Sequence, residues 1–188
     1  MIEIVPYLIS WPSDFVKIAL SLRRGLGELA LRIDHIGSTS VPGLAAKDII
    51  DIQITVAALD QTLLSAMTTL GYSRPEGIWR DHQPAGSEMP ETEWEKWLFI
   101  EPPGQRPTNT HIRILGRANQ RYPLLFRDYL RTHSATADAY AELKRRLARN
   151  LANPRMYPDV KDPAVDLIYL AAEEWAAATH WQPGPSDA

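Results

Sequence analysis

Ile33-Asp34-His35-Ile36-Gly37-Ser38-Thr39-Ser40-Val41-Pro42-Gly43-Leu44-Ala45-Ala46-Lys47-Asp48-Ile49-Ile50-Asp51-Ile52 decides the fold. Its first part belongs to an alternating stretch, residues 31–36, which reads as a strand and runs directly into a turn dense in small residues. Its last part opens the clearest strand of the chain, residues 48–56. There Ile50, Ile52, Ile54 and Val56 share one face, and Asp51, Gln53 and Thr55 share the other. A glycine at the turn lets backbone amides come close to a phosphate, and Ser38, Thr39 and Ser40 add hydroxyl donors. Asp51 on the neighbouring strand could hold Mg²⁺ against the same phosphate. The same residues also read as a polar turn beside one exposed strand carboxylate.

Working outward, Ser10-Trp11-Pro12 starts a helix, since proline is favoured in a first turn. Phe15, Ile18, Leu22 and Leu26 supply its apolar stripe, and Gly25 and Gly27 end it. On the other side, Leu59, Leu63, Met67 and Leu70 mark a second helix, stopped by Gly71. Residues 73–93 read as irregular and acidic. Strands at 96–100 and 111–115 flank the turn 102–107 as an antiparallel hairpin. Helices follow at about 122–132, 135–151 and 163–179, the last capped by Asp162 with Pro163 at its first position. The tail, 181–188, is expected to fray. The chain is read as one domain, residues 1–188, with an α/β core to about residue 120 and a helical segment to about 180.

The length of 188 residues suits one compact domain, and the absence of cysteine excludes a disulfide scaffold, a cysteine nucleophile and thiolate metal sites. No stretch nears the roughly 18 apolar residues of a membrane helix. No signal peptide is expected either, so a cytoplasmic location is the expectation. Twenty Lys and Arg stand against 23 Asp and Glu, a net charge of -3 that argues against binding nucleic acid by counterion release. The charge is uneven: residues 111–149 carry nine Lys and Arg against three acids. A basic lobe in an acidic protein fits a small anionic ligand better than a polyanion track.

Further candidates sit in that lobe. His111 and Arg113 alternate onto one strand face, where Arg can grip phosphate or carboxylate and His can move a proton. A half-exposed surface strand would look the same. Lys144, four residues after Tyr140, lies at the border of its helix's apolar side and could lean into a cleft. Arg145, Arg146 and Arg149 read as a solvated face, and Arg127-Asp128 as a structural ion pair. Trp79, in the irregular loop, could serve as a lid.

The run from Ile33 to Ile52 resembles the signature of the GrpB family, hydrophobic-x-H-I-G-S-T-S-V-P-G-L-x-x-K-P-I-I-D-I. So do Val5-Pro6-Tyr7, Trp11-Pro12, Asn109-x-His111-x-Arg113, Leu125 to Arg131, and Tyr140-Ala141-x-Leu143-Lys144. The resemblance implies an α+β nucleotidyltransferase-like fold: a small mixed β-sheet, helices packed mainly on one side, and a C-terminal helical segment. It implies a Gly37-Ser38 phosphate turn, with Thr39, Ser40, Lys47 and Lys144 assisting, and Mg²⁺ and a nucleotide as ligands. Asp51 matches the first acid of the family's acid-x-acid pair, but Gln53 stands at the second, and His111 and Arg113 stand where a third acid might. One Asp and one neutral amide cannot balance two Mg²⁺ ions. Asp48 points to the opposite face from Asp51, and Asp34 alternates away from His35. One metal, or a metal-free site using Lys47, His111, Arg113 and Lys144, is what these departures leave. Fusion of the family with dephospho-CoA kinase hints at a nucleotide- or CoA-like ligand, and this sequence has no kinase P-loop. The readings are a nucleotidyltransferase-like enzyme, a non-catalytic ligand-binding module, or an accessory protein.

Overall fold

Residues 2–188 are described here, from a computed structural model. Four strands form one mixed sheet in the order β1-β2-β4-β3: β1 is Arg32–Ile36, β2 Ile50–Val56, β3 Trp97–Ile100 and β4 Thr108–Ile114. β2 runs antiparallel to β1 and parallel to β4, and β4 runs antiparallel to β3. Alternation along β2 sorts its side chains as the sequence requires. Ile50, Ile52, Ile54 and Val56 are buried beneath α1 (Trp11–Leu26) and α2 (Gln61–Thr69), with Ile33, Phe99 and Ile112 beside them.

The other face is polar, and the register arranges it as a grid. Ile36, Asp51, Asn109 and Ile100 lie side by side, and so do Asp34, Gln53, His111 and Leu98. Over this face lies a second cluster built from α3 (Ala118–Thr132), α4 (Ser134–Asn150) and α5 (Tyr157–Thr179) together with the turn residues Val41, Leu44 and Ala45. The apolar face therefore makes the core, and the polar face is left to a cavity.

Several boundaries differ from the sequence reading. α3 begins at Ala118 and holds Pro123 inside, and α5 begins at Tyr157 and holds Pro163 inside. Asp162 is therefore no cap. The proline that starts α5 is Pro158, at a position with no helical N–H to lose. Gly25 does not end α1; it lies within it, and a Cβ there would sit 2.4 Å from Leu70 Cδ2. Its small size lets α1 and α2 approach.

The tail is docked, not frayed. β1 is an edge strand with open backbone groups. Ser186 Oγ accepts from Ile33 N at 2.9 Å, Asp187 Oδ2 accepts from His35 N at 2.9 Å, and Ala188 N donates to Ile33 O at 3.2 Å. Asp187 also accepts from Arg127 Nη1 at 2.8 Å, while Arg127 Nε holds Asp128 and Nη1 reaches His35 O. The Arg127-Asp128 pair is thus structural, and it ties the helices to the sheet edge. Asp187→Ala leaves a strand N–H and a buried guanidinium short of an acceptor. It should cost about 1–3 kcal/mol in urea unfolding; an unchanged midpoint would contradict this docking.

Candidate functional site

The site begins where β1 stops. Gly37 has φ +69°, a conformation that suits glycine, and it leads into the single turn Ser38–Ser40. A Cβ on Gly37 would lie 2.2 Å from Asp51 Oδ2, so the carboxylate packs directly against the bare glycine. Asn109 Nδ2, from the adjacent strand, donates to Asp51 Oδ1 at 2.8 Å. Burial pushes the Asp51 carboxyl up from its ordinary value, opposed by the Asn109 hydrogen bond and the charges of Lys47 and Lys161.

Gly37, Ser38 and Asp51 line a cavity of about 550 Å³ together with Lys47, His111, Arg113 and Lys144. That volume lies within the range of small-molecule sites. Seven of the residues expected at the site are therefore brought together. Three are not. Thr39 is buried and its hydroxyl meets His35 Nε2 at 3.0 Å, on the side where His35 stacks on Phe15. Ser40 Oγ turns back to donate to Gly37 O at 2.6 Å, and Ser40 O accepts from Arg131. Only the first hydroxyl of the turn faces the cavity, because this tight turn carries the next two inward. Gln53 is sealed below the cavity floor: its Nε2 donates to Gln120 O at 2.9 Å and its Oε1 accepts from Arg113 at 2.8 Å. It cannot serve a metal. Asp34 does share the face of Asp51, since it is His35 that turns toward α1, but Asp34 is buried and gripped by Arg32. Asp48 points away from Asp51, to Trp11 Nε1 and Arg106.

Arg113 lines the cavity with its charge already committed. It forms a two-bond fork to Asp81, with both distances 2.8 Å. Asp81 also accepts from Lys96 at 2.6 Å and from Asn119 Nδ2 at 3.0 Å. Burial opposes its charge, yet Arg113 and Lys96 hold the carboxyl well below the usual range. Arg113 is therefore an anchor for the loop that carries Asp81. His111 Nδ1 faces the Lys96 ammonium at 3.3 Å. An ammonium only donates, so Nδ1 accepts and the imidazole proton sits on Nε2. Burial first, then Lys96 and Arg113, push His111 well below its usual pKa. It stands as a neutral N–H donor.

Lysines make the cationic wall. Lys144 Nζ donates to Ser38 Oγ at 2.8 Å and to Ala45 O at 2.6 Å, and lies 4.6 Å from the Tyr140 ring centre. Burial, reinforced by Lys161, lowers its pKa to about 7. Lys47 lies 5.5 Å over the Tyr157 ring. The arginines of the basic segment are largely spent elsewhere: Arg117 on Glu95, Arg121 on Glu173, Arg131 on Ser40 O. Arg145, Arg146 and Arg149 cluster around Glu142 on the outer face of α4. Trp79 is half exposed under Arg80, and it is its neighbour Ile78 that reaches the cavity.

An anion in the cavity would favour charged Lys144. Tripolyphosphate affinity should therefore rise about 10-fold as pH falls from 8.5 to 6, with Lys144 gaining its proton through about 7. Calorimetry of Lys144→Met should show that pH slope flattened; an identical slope would contradict the assignment.

Sequence reading missed Asp81, Lys96 and Lys161, all at the cavity. Lys96 had a signal, since it stands two residues before Leu98, just ahead of β3, and so shares its side. Lys161 lies one helical turn after Tyr157 and is found once α5 is started there. Asp81 had none, because a loop's path is not periodic.

A turn-and-carboxylate pair on a mixed sheet, roofed by helices, places the chain in the nucleotidyltransferase-like class of folds. A crystal structure of the Cid1 poly(U) polymerase bound to MgATP matches it with a TM-score of 0.51 at 13% identity, over 80% of this chain and 46% of that one. At that identity the likeness speaks for the fold alone. The model of the family described as GrpB protein matches residues 1–170, and the chain belongs to the GrpB family. The crystal structure of GrpB from Enterococcus faecalis superposes with a TM-score of 0.67 at 28% identity, covering 96% of this chain and 100% of that one. A dephospho-CoA kinase of Mycobacterium tuberculosis is 36% identical over 96% of this chain, which spans 48% of that protein. The chain thus spans about half the length of the first curated relatives it matches. No helix among the described residues is long and apolar enough to cross a membrane.

Proposed function

We propose that the protein is a nucleotidyltransferase-like enzyme that transfers a phosphate-bearing group from a nucleotide to a small acceptor. The observation that carries this reading is the contact of Asp51 with Gly37 at the floor of the cavity, faced by Ser38 and Lys144. Lys47, Lys144 and Lys161 supply the charge that would grip the phosphates. His111 Nε2–H is placed to donate to a charged oxygen as it develops. Among the described residues, no group of three or more His, Asp or Glu side chains is placed to hold a metal. Asp51 fits as a single ligand of one Mg²⁺ whose other ligands are phosphate oxygens and water, since Mg²⁺ keeps several such ligands. Such an ion would neutralise charge on the transferred group. The lysines would balance what the absent second carboxylate would otherwise have drawn in.

The test is pyrophosphate release from the four nucleoside triphosphates, with Mg²⁺ and a panel of small hydroxyl and amine acceptors. Acceptor-dependent release is expected. A second reading, a binding module without chemistry, rests on Gln53 and Asp81 being closed off by their own partners. Nucleotide binding without release across the panel would favour it.

A further inference from the structure

Three residues that line the cavity each carry a buried polar atom that the protein does not satisfy. Trp94 Nε1, Asn119 Oδ1 and Tyr157 OH are all buried without a hydrogen-bond partner, and all three residues line it. Trp94 is 3%, Asn119 1% and Tyr157 2% exposed. A buried polar group left unpaired is costly, so such groups are scarce in folded proteins. Several at one cavity point to a ligand that completes them.

Trp94 and Asn119 mark one end. The Asn119 amide has one orientation consistent with its surroundings, because Nδ2 donates to Asp81 Oδ2 at 3.0 Å and to Glu95 O at 2.8 Å, both acceptors. Its Oδ1 is therefore the unpaired atom, an acceptor. The Glu95 contact brings the Asn119 amide to the backbone of the residue that follows Trp94, whose indole N–H is a donor. Aromatic surface adjoins them: Tyr122 meets Trp94 edge-on at 6.2 Å and lies nearly parallel to Phe126 at 6.3 Å. Tyr157 belongs to the lysine end, under Lys47. An inorganic phosphate at the lysines would leave the aromatic end unfilled.

We infer that Trp94 and Asn119 form a ring-reading subsite for a planar heterocycle that presents an acceptor beside an N–H donor, the amide or amidine edge common to nucleobases. The ring lies against Tyr122 and Phe126, Trp94 Nε1–H donates to its acceptor, and Asn119 Oδ1 takes its N–H. The inference rests on the cavity being the ligand site. It is independent of whether any transfer occurs.

The probes are adenosine, guanosine, cytidine and uridine, which carry no phosphate, titrated into ¹⁵N-labelled protein. The six tryptophans give six indole N–H signals. That of Trp94 is assigned by its loss in Trp94→Phe and by its contacts to the Tyr122 ring, an assignment that stands even if the variant folds poorly. With at least one nucleoside the Trp94 signal should move downfield, and Trp94→Phe should bind that nucleoside about 10-fold more weakly. Its tripolyphosphate affinity should be unchanged, because the lysine end is untouched. A Trp94 signal that stays still with all four nucleosides, or equal binding by the variant, would overturn the subsite. Loss of tripolyphosphate binding alone would count against the proposed function and leave this subsite standing.

Discussion

Gly37→Ala should lower turnover at least 100-fold and stability by about 2–6 kcal/mol. Two costs add. The residue sits at φ +69°, where a side chain is strained by about 1–3 kcal/mol. The new Cβ would also fall 2.2 Å from Asp51 Oδ2 and 2.8 Å from Asp51 Cβ. No side-chain rotation clears a neighbour's Cβ, so β1 and β2 must separate or the turn must move, at about 1–3 kcal/mol more. Either movement takes the turn away from the carboxylate. Nucleotide affinity and pyrophosphate release should both fall at least 100-fold. Retained release in a folded Gly37→Ala protein would show that the turn and the carboxylate do not work together.

Asp51→Asn separates chemistry from stability. The substitution keeps the shape and still accepts the Asn109 hydrogen bond. Burial raises the Asp51 carboxyl above the ordinary carboxylate range. A carboxyl raised on folding leaves the fold most stable below the unfolded pKa, and that stability drains away as pH rises through the folded pKa. At pH 7 the charge is thus a net burden, and Asp51→Asn should be at least as stable as the parent by urea unfolding. Release of pyrophosphate should nonetheless drop 100-fold or more, since the carboxylate that packs against the Gly37 turn, and would meet a metal or the acceptor hydroxyl there, is gone. A variant that is as active as the parent would remove Asp51 from the chemistry. One that is markedly less stable would make the carboxylate structural.

Much of this was legible in the residues. Period-two alternation placed Ile50, Ile52, Ile54 and Val56 in the core and Asp51 on the cavity face, because a strand has only two faces to offer. The same rule set Asp48 apart from Asp51. The rule is silent on how far a face extends before another element seals it, which is why Gln53 shares the side of Asp51 and yet lies shut beneath Gln120 and Arg113. Short turns defeat it too. Ser38, Thr39 and Ser40 look equivalent in sequence, but the turn points one hydroxyl at Lys144, one at His35 and one at its own backbone. Residues 186–188 gave no sign of order, since what orders them is an unpaired strand edge about 150 residues earlier in the chain. The resemblance of the Ile33–Ile52 run supplied the family and the fold. The position of Asp81, and with it the fate of Arg113, needed coordinates.

The most direct measurement is the backbone amide spectrum during titration with tripolyphosphate. The Gly37 and Ser38 amides should shift together with the Asn109 side-chain amide that holds Asp51, and with the same apparent affinity, while the amide of surface residue Arg146 stays fixed. Saturable shifts confined to the outer face of α4, with Gly37 and Asn109 unmoved, would contradict the account.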